Sequence, residues 1–349
     1  MKFMEYIKGI EGDYIETKKT NLIFDVKGLL HPNDRKICFL RFYPHIEGDR
    51  IKNGIMYKKV YNLDERYSLL RKFYPDYLFY SKELDLEIQG VYNNDIKRIY
   101  SPRDSLKELS EKENLSNIEN CSKALCELFI DKGNISRNSI GITGSVMIGL
   151  NKEDSDIDII IYGTETSLKF QEKIVDLFSE PNQFRKYNPE EFKSHYIWRV
   201  GGSDISFKEF MRSEQRKLHQ GKFHGNDFFV RYIKSPIDWR GKFYDYQYKN
   251  CGRIKAEGLI TDSKDSIFTP CSYKIKTLKI LSKDPTMNNV SFNEISKINS
   301  FRARFCEQAK DGETVLVEGK LEKVIFQKKY GYFRILLTDQ TKDKMIIIN

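Results

Sequence analysis

Ile140-Gly141-Ile142-Thr143-Gly144-Ser145-Val146-Met147-Ile148-Gly149-Leu150 runs through Asn151-Lys152-Glu153-Asp154-Ser155 into Asp156-Ile157-Asp158-Ile159-Ile160-Ile161. The last six residues have the β-branched content of a buried strand. Residues two apart in a strand share a face, so Asp156 and Asp158 project together while Ile157 and Ile159 enter the core. Two carboxylates this close stay ionised together only beside a cation, and hard oxygen donors select Mg²⁺ or Mn²⁺. Upstream, Gly144 lets the backbone approach a ligand closely and Ser145 adds a hydroxyl and an N–H, which together make a phosphate cradle at a helix start. A cradle beside a metal-binding acid pair is the equipment that phosphoryl or nucleotidyl transfer requires. The bland alternative is a solvated strand edge next to the Lys152-Glu153-Asp154 turn, which leaves the Gly-Ser element unexplained.

Outward from this stretch, residues Asn138 to about Pro236 follow an α/β pattern, with a helix near Ser167–Phe178 and a later strand at Phe228–Ile233. Ahead of it, Ser105-x-x-Glu108 and Ser116-x-x-Glu119 have the form of helix-starting capping boxes, the second followed by Ile118, Cys121, Leu125, Leu128 and Phe129 at helical spacing. Residues 14–100 alternate β-branched and aromatic runs, such as Ile37-Cys38-Phe39-Leu40-Arg41-Phe42, with Pro/Asn/Asp turns. Past Asp238 the chain is β-rich again, with runs at Thr314–Leu321, Tyr332–Leu337 and Met345–Ile348 that suit a small barrel of the oligonucleotide-binding kind. Three modules are therefore expected: 1–104, β-rich; 105–237, α/β, carrying the acidic strand; and 238–349, β-rich.

The chain has 349 residues and a net charge of +9, with 40% hydrophobic residues and no apolar run long enough to span a bilayer. Disorder and membrane insertion are poor explanations, and an acidic partner is favoured. The N-terminus lacks an apolar signal segment, so a cytoplasmic address is expected. Cys38, Cys121, Cys126, Cys251, Cys271 and Cys306 contain no Cys-x-x-Cys pair and read as buried thiols. His219 and His224 lie off the spacing of a helical metal pair and read as surface or phosphate-proximal groups. No P-loop or dinucleotide-binding glycine motif occurs. Between Ser206 and Ala256, 12 Lys and Arg stand against 5 Asp and Glu, giving +7 of the total charge. Phe223, Trp239, Phe243, Tyr244, Tyr246 and Tyr248 are interleaved there, a mixture suited to single-stranded nucleic acid or tRNA ends; a solvated basic face over core aromatics is the alternative.

Gly144-Ser145, with Ser155-Asp156-Ile157-Asp158 at a spacing of eleven residues from Ser145 to Asp156, resembles the signature of the DNA polymerase β-like nucleotidyltransferase superfamily. The likeness covers about residues 115–235. The whole chain is also similar to a group of uncharacterised archaeal nucleotidyltransferases with β-rich flanks. Thr143 departs from the Phe that minimal members often carry before Gly-Ser. The resemblance implies an α/β (α+β) core with a mixed sheet, Mg²⁺ or Mn²⁺ on Asp156 and Asp158, and an NTP held at Gly144 and Ser145. It also implies a third carboxylate on a neighbouring strand, which helps bind the metal and takes the acceptor hydroxyl's proton, and for which Asp227 is the choice and Asp204 the rival. Arg231, an even number of residues beyond Asp227, either contacts phosphate or is an ordinary strand arginine. The implied reaction transfers NMP from an NTP to an acceptor hydroxyl. A nucleic acid 3′ end heads the acceptors, followed by a protein or small molecule; an inactive nucleic-acid-binding scaffold is the rival of another class. The sequence leaves the NTP, the use of a template and the oligomeric state open.

Overall fold

A computed structural model describes residues 7–179, 183–200, 202–284 and 294–349. The fold is mixed α+β and divides into two compact units. Residues 1–81, 86–185 and 219–243 form the first unit; residues 82–85, 186–218 and 244–349 form the second. The first unit thus joins residues of the first two sequence modules, while 186–218 leave the middle module for the second unit. Among the described residues, no helix is long and apolar enough to cross a membrane.

In the first unit, strands β1 (Tyr14–Thr17), β2 (Ile23–Val26), β3 (Arg35–Pro44), β4 (Arg50–Lys52) and β5 (Ile55–Lys59) are followed by α1 (Leu63–Phe73). Strands β6 (Leu78–Ser81), β7 (Leu86–Tyr92) and β8 (Ile96–Tyr100) complete a sheet ordered β4-β5-β3-β2-β1-β8, with β7 bridging β3 and β6. Helix α1 lies inside a stretch that alternation alone presents as β; Asn62 caps it by accepting from the N–H groups of Asp64 and Glu65. Helix α2 (Pro102–Glu111) begins with Pro at its first turn, a position where the missing N–H costs nothing. Ser105-x-x-Glu108 is therefore interior to that helix and caps nothing. The capping box at Ser116 is formed, and α3 (Asn117–Asp131) follows it.

The sheet that holds the acidic strand comprises β9 (Ile140–Ile142), β10 (Ile157–Tyr162), β11 (Phe184–Arg185), β12 (Gln220–Phe223) and β13 (Asn226–Ile233), ordered β11-β12-β13-β10-β9. Only the β10–β13 pairing is parallel, and the rest are antiparallel, so the sheet is mixed. Helix α4 (Gly144–Met147) is a single turn between β9 and β10, and α5 (Thr164–Ser179) follows β10. Phe178 and Phe184 stack on Phe228, and Phe170 meets Tyr232, so the even-numbered side chains of β13 face the helix-bearing side. The pairings Ile157↔Phe228 and Asp158↔Phe229 then put Ile157, Ile159 and Ile161 on that side and Asp158 and Ile160 on the other.

The second unit contains α6 (Pro189–Val200), α7 (Phe207–Glu214) and strands β14 (Tyr246–Asp262), β15 (Cys271–Lys283), β16 (Ile295–Ser300), β17 (Thr314–Phe326), β18 (Tyr330–Leu337) and β19 (Lys344–Ile347). The strand order is β14-β15-β16-β18-β17, and β14 also pairs with β17, which closes five strands into a ring; β19 adds to β17. Tyr273, Ile298, Val317, Leu321, Ile335 and Leu337 fill its core. On the ring, Glu322 accepts from Arg334 Nε and Nη2 at 2.9 and 2.8 Å and meets Lys320 Nζ at 2.9 Å; the Arg334 guanidinium lies 4.3 Å over the Tyr248 ring. Glu322 is 1% exposed and Arg334 9%. Glu322→Ala leaves that guanidinium buried without its carboxylate, a loss on the order of 3–5 kcal/mol. A lower unfolding midpoint in urea is expected, and replacing Arg334 by Met in the same chain should recover part of it.

Candidate active site

Thr143 fixes the entry to the site: its N–H donates to the Asp158 carbonyl at 2.9 Å, and its hydroxyl donates to the Gly12 carbonyl at 2.6 Å. Gly144 follows with φ +70°, and a Cβ there would lie 2.2 Å from Asp158 Oδ2. Glycine is required on both counts, because its backbone sits against the carboxylate in a conformation that side-chain-bearing residues avoid. Ser145 is buried, and its carbonyl accepts from Leu150 N–H at 3.0 Å, which folds residues 145–150 into a compact loop.

Asp158 is half-buried, whereas Asp156, one residue before β10, reaches solvent. By the parallel register, Asp227 at the start of β13 lies beside Asp156. Partial desolvation, together with the negative charges of Asp158 and Asp227, raises the Asp156 carboxyl from 3.8 to about 6, against the pull of Lys59 and Lys222. Burial also raises Asp158, opposed by Arg231, Lys59 and Arg41. Asp227 is held by Lys222 Nζ at 2.8 Å. Asp204 lies in the second unit, where hydrogen bonding to Lys344 Nζ at 2.8 and 2.6 Å holds its carboxyl below the usual range.

Arg231 shares the Asp158 face of the sheet and is half-buried there, with Nη1 2.8 Å from Glu11 Oε1. Burial works against its charge, but Glu11, Asp25 and Asp158 more than offset this and raise it further. Glu11 is 0% exposed and also meets Lys27, which pairs with Asp25 at 2.7 Å. Desolvation pushes Asp25 up, but Lys27, Arg231 and Arg41 prevail and hold it low. The N-terminal strands thus extend a lattice of alternating charge beneath the acid pair. Gly12 completes this packing, since a Cβ there would fall 2.3 Å from Ile160 Cδ1.

Sequence reasoning missed Glu11, Asp25, Arg41 and Lys59. For two of them the signal was charge on an otherwise apolar strand: Asp25 interrupts Ile23-Phe24-Asp25-Val26, and Arg41 interrupts Phe39-Leu40-Arg41-Phe42; Glu11, in a turn, and Lys59, next to Lys58 at a strand end, carried none. His219 is buried, its carbonyl accepting from Val230 N–H at 2.7 Å and its ring 5.0 Å from Phe229, so it is not a surface group; His224 is exposed. All six cysteines are free; Cys38, Cys126, Cys271 and Cys306 are buried, while Cys121 and Cys251 are half-exposed. In the basic stretch, Phe223 and Phe243 are buried and Trp239 packs against Ile10, Ile160 and Ile233, whereas Tyr244 is 51% exposed and Tyr246 stacks on Tyr248. The stretch is divided between the two units.

The donor chemistry of Asp156 and Asp158 fits a hard divalent cation, which ordinarily takes one or two carboxylates and completes its shell with water and substrate phosphate. Among the described residues, no three His, Cys, Asp or Glu side chains are gathered into a metal cage.

Residues 118–200 match the family of the nucleotidyltransferase domain. This defines the class: the chain carries a nucleotidyltransferase domain of the polymerase β-like kind and is a nucleotidyltransferase enzyme. The matched residues include Gly144, Ser145, Asp156 and Asp158 and end before Asp227. An uncharacterized protein of Methanocaldococcus jannaschii is 28% identical over 335 residues, covering 93% of this chain and 94% of its own length. No solved structure matches the chain at significance.

The raised Asp156 carboxyl has a thermodynamic consequence. With its folded pKa near 6 and the ordinary value at 3.8, the folded chain holds this proton more tightly than the unfolded chain. Its contribution to stability is complete below the ordinary value and disappears as pH rises through about 6. Asp156→Asn is therefore expected to raise the melting temperature of the metal-free chain at pH 7.5, with the gain fading toward pH 4. Mg²⁺ should raise the melting temperature of the wild type and not of the variant; paired thermal melts check both.

Proposed function

We propose that this chain is a divalent-metal-dependent transferase that moves a nucleoside monophosphate from an NTP to an acceptor hydroxyl, with pyrophosphate released. The observation that carries this reading is the pair Asp156 and Asp158 on one sheet face, with the Gly144 backbone pressed against the second carboxylate. These two residues would hold Mg²⁺ or Mn²⁺, which when bound supplies charge neutralisation on the phosphates and lowers the pKa of the acceptor hydroxyl. The Gly144-Ser145 turn presents backbone and hydroxyl groups to the triphosphate. Asp227 takes the role of the third carboxylate: it adjoins Asp156, and when Lys222 releases it, it accepts the acceptor hydroxyl's proton. Arg231 is assigned to nucleotide binding as a cation close to Asp158, an assignment supported by its position on the Asp158 face of the sheet. The core belongs to a polymerase β-like mixed sheet flanked by β-rich parts, and the reaction is cytoplasmic.

The test is incubation with each labelled NTP, Mg²⁺ or Mn²⁺, and pooled RNA and DNA oligonucleotides, resolved on a gel. Asp158→Asn should abolish divalent-dependent transfer while the fold is retained, because an amide supplies no anionic ligand. Near-normal transfer by that folded variant would sink the mechanism. In single-turnover experiments Asp227→Asn should slow the chemical step strongly and Asp204→Asn only mildly; the reverse order would give Asp204 the role.

The acceptor is a nucleic acid 3′ end, a reading supported by the +7 charge of Ser206–Ala256 and the exposed Tyr244. Lys and Arg that neutralise phosphates release counterions, so RNA affinity should fall steeply with salt. Lys242→Ala should make the log–log slope shallower for all sequences alike, and Tyr244→Ala should weaken single strands more than duplexes. A chain that transfers NMP yet binds no nucleic acid at low salt would have a protein or small molecule as acceptor.

A further inference from the structure

Within the first unit, the edge hairpin β4–β5 is tied to the loop that follows the Gly-Ser turn. The Arg50 guanidinium donates to the Leu150 carbonyl, Lys52 Nζ donates to the Ile148 carbonyl at 2.5 Å, and Lys152 pairs with Asp49. Tyr57 and Phe42 share an apolar cluster with Met147, Ile148 and Leu150, so the hairpin is packed against the loop as well as hydrogen-bonded to it. Lys59, the last residue of β5, pairs across the sheet with Phe42. It is thereby carried to the acid site, where its charge acts on both Asp156 and Asp158.

The cations around this site fall into two groups. Lys222 is paired with Asp227, Arg231 with Glu11, Lys27 with Asp25, and Lys152 with Asp49. Lys59 makes no ion pair among the described residues. Its Nζ lies 4.7 Å over the ring of Tyr61, which Arg41 approaches at 5.9 Å. Arg41, hydrogen-bonded to Tyr14, and Arg50 are the like charges that bear on Lys59. Arg50 has Asp49 and Arg41 has Asp25 as well as Asp158, whereas the acids that oppose Lys59 are the two that a metal ion would claim. Once the metal is on Asp156 and Asp158, the excess positive charge calls for a polyanion, and a triphosphate seated at Gly144-Ser145 brings one.

We propose that Lys59, projecting from the N-terminal β-sheet and backed by Arg41, binds the β- and γ-phosphates of the nucleoside triphosphate, so that the N-terminal strands form one wall of the active site. This rests on the nucleotidyltransferase reading above and names the residue that grips the part of the substrate that leaves. The grip depends on phosphates that a nucleoside monophosphate lacks. That difference separates it from a structural role.

Isothermal titration of the full chain at saturating Mg²⁺ with α,β-methylene analogues of the four ribonucleoside triphosphates, and with the four monophosphates, tests it. Lys59→Met is expected to weaken triphosphate binding roughly tenfold to a hundredfold, the usual loss of a charged hydrogen bond, and to change monophosphate binding less than about twofold. Lys59→Arg should restore most of the triphosphate affinity, which controls for misfolding. Unchanged triphosphate affinity in Lys59→Met, or equal losses for triphosphate and monophosphate, overturns the assignment. A variant altered only in Mg²⁺ affinity would also overturn it, since Lys59 would then be an internal counterion for the acids. A wild-type chain that binds no triphosphate with Mg²⁺ removes the underlying reading of the site, a result distinct from wild-type binding with an indifferent Lys59.

Discussion

Like charge confined in a recess is the constraint around which the first unit is organised. Asp156 and Asp158 share a face, and Asp227 adds a third negative group beside them. The free energy of keeping such crowded, partly desolvated groups ionised depends on the positive charge the protein can bring close. Arg231 shares their face and is paired with the fully buried Glu11; Lys27 and Asp25 extend the alternation. Each charge is tolerable because the next is present. The N-terminal strands are in this sense electrostatic equipment for the acidic strand, which explains why they pack with it as one compact unit.

The same constraint sorts what the sequence disclosed from what it concealed. The shared face of Asp156 and Asp158 follows from the period of a strand, and the close approach of Gly144 follows from having no side chain at a turn; both are local facts, legible from a few neighbouring letters. The capping box at Ser116 was legible for the same reason. Ser105-x-x-Glu108 carried an identical pattern, but Pro102 had already started the helix, so the pattern had no free N–H groups to serve. Asp25, Arg41 and Lys59 reach the site from strands, and Glu11 from the turn before β1, all roughly a hundred residues or more upstream in sequence. Pairing at that separation is set by tertiary packing, to which no local period points. Helix α1 was hidden because eleven residues between strands leave little room for a helical period to declare itself against β-branched surroundings.

The basic stretch after Ser206 shows why composition is a weak guide to a surface. Its aromatics divide by burial: Phe223, Phe243 and most of Trp239 serve packing, and Tyr244 is left to solvent. The charge count was sound, but a count has no geometry, and the stretch is shared between two separately packed units.

The excursion of residues 186–218 between β11 and β12 has a consequence for how the chain is made. Phe192, Val200, Ile205 and Phe210 bury themselves together with Ile346, and Arg212 donates to the Ile347 carbonyl at 2.8 Å. During synthesis these helices emerge more than a hundred residues before the terminal strand that shelters them. Loop-closure entropy must be met before that contact is gained, so the second unit matures late, and its amphipathic helices are exposed in the nascent chain until β19 has been made. The strands that complete the acidic sheet, β12 and β13, lie in sequence between the two parts of this late-folding unit. Arrest of synthesis before β19 is made would therefore leave the strands of the acidic sheet complete while the apolar faces of α6 and α7 are still uncovered, a mark for chaperones.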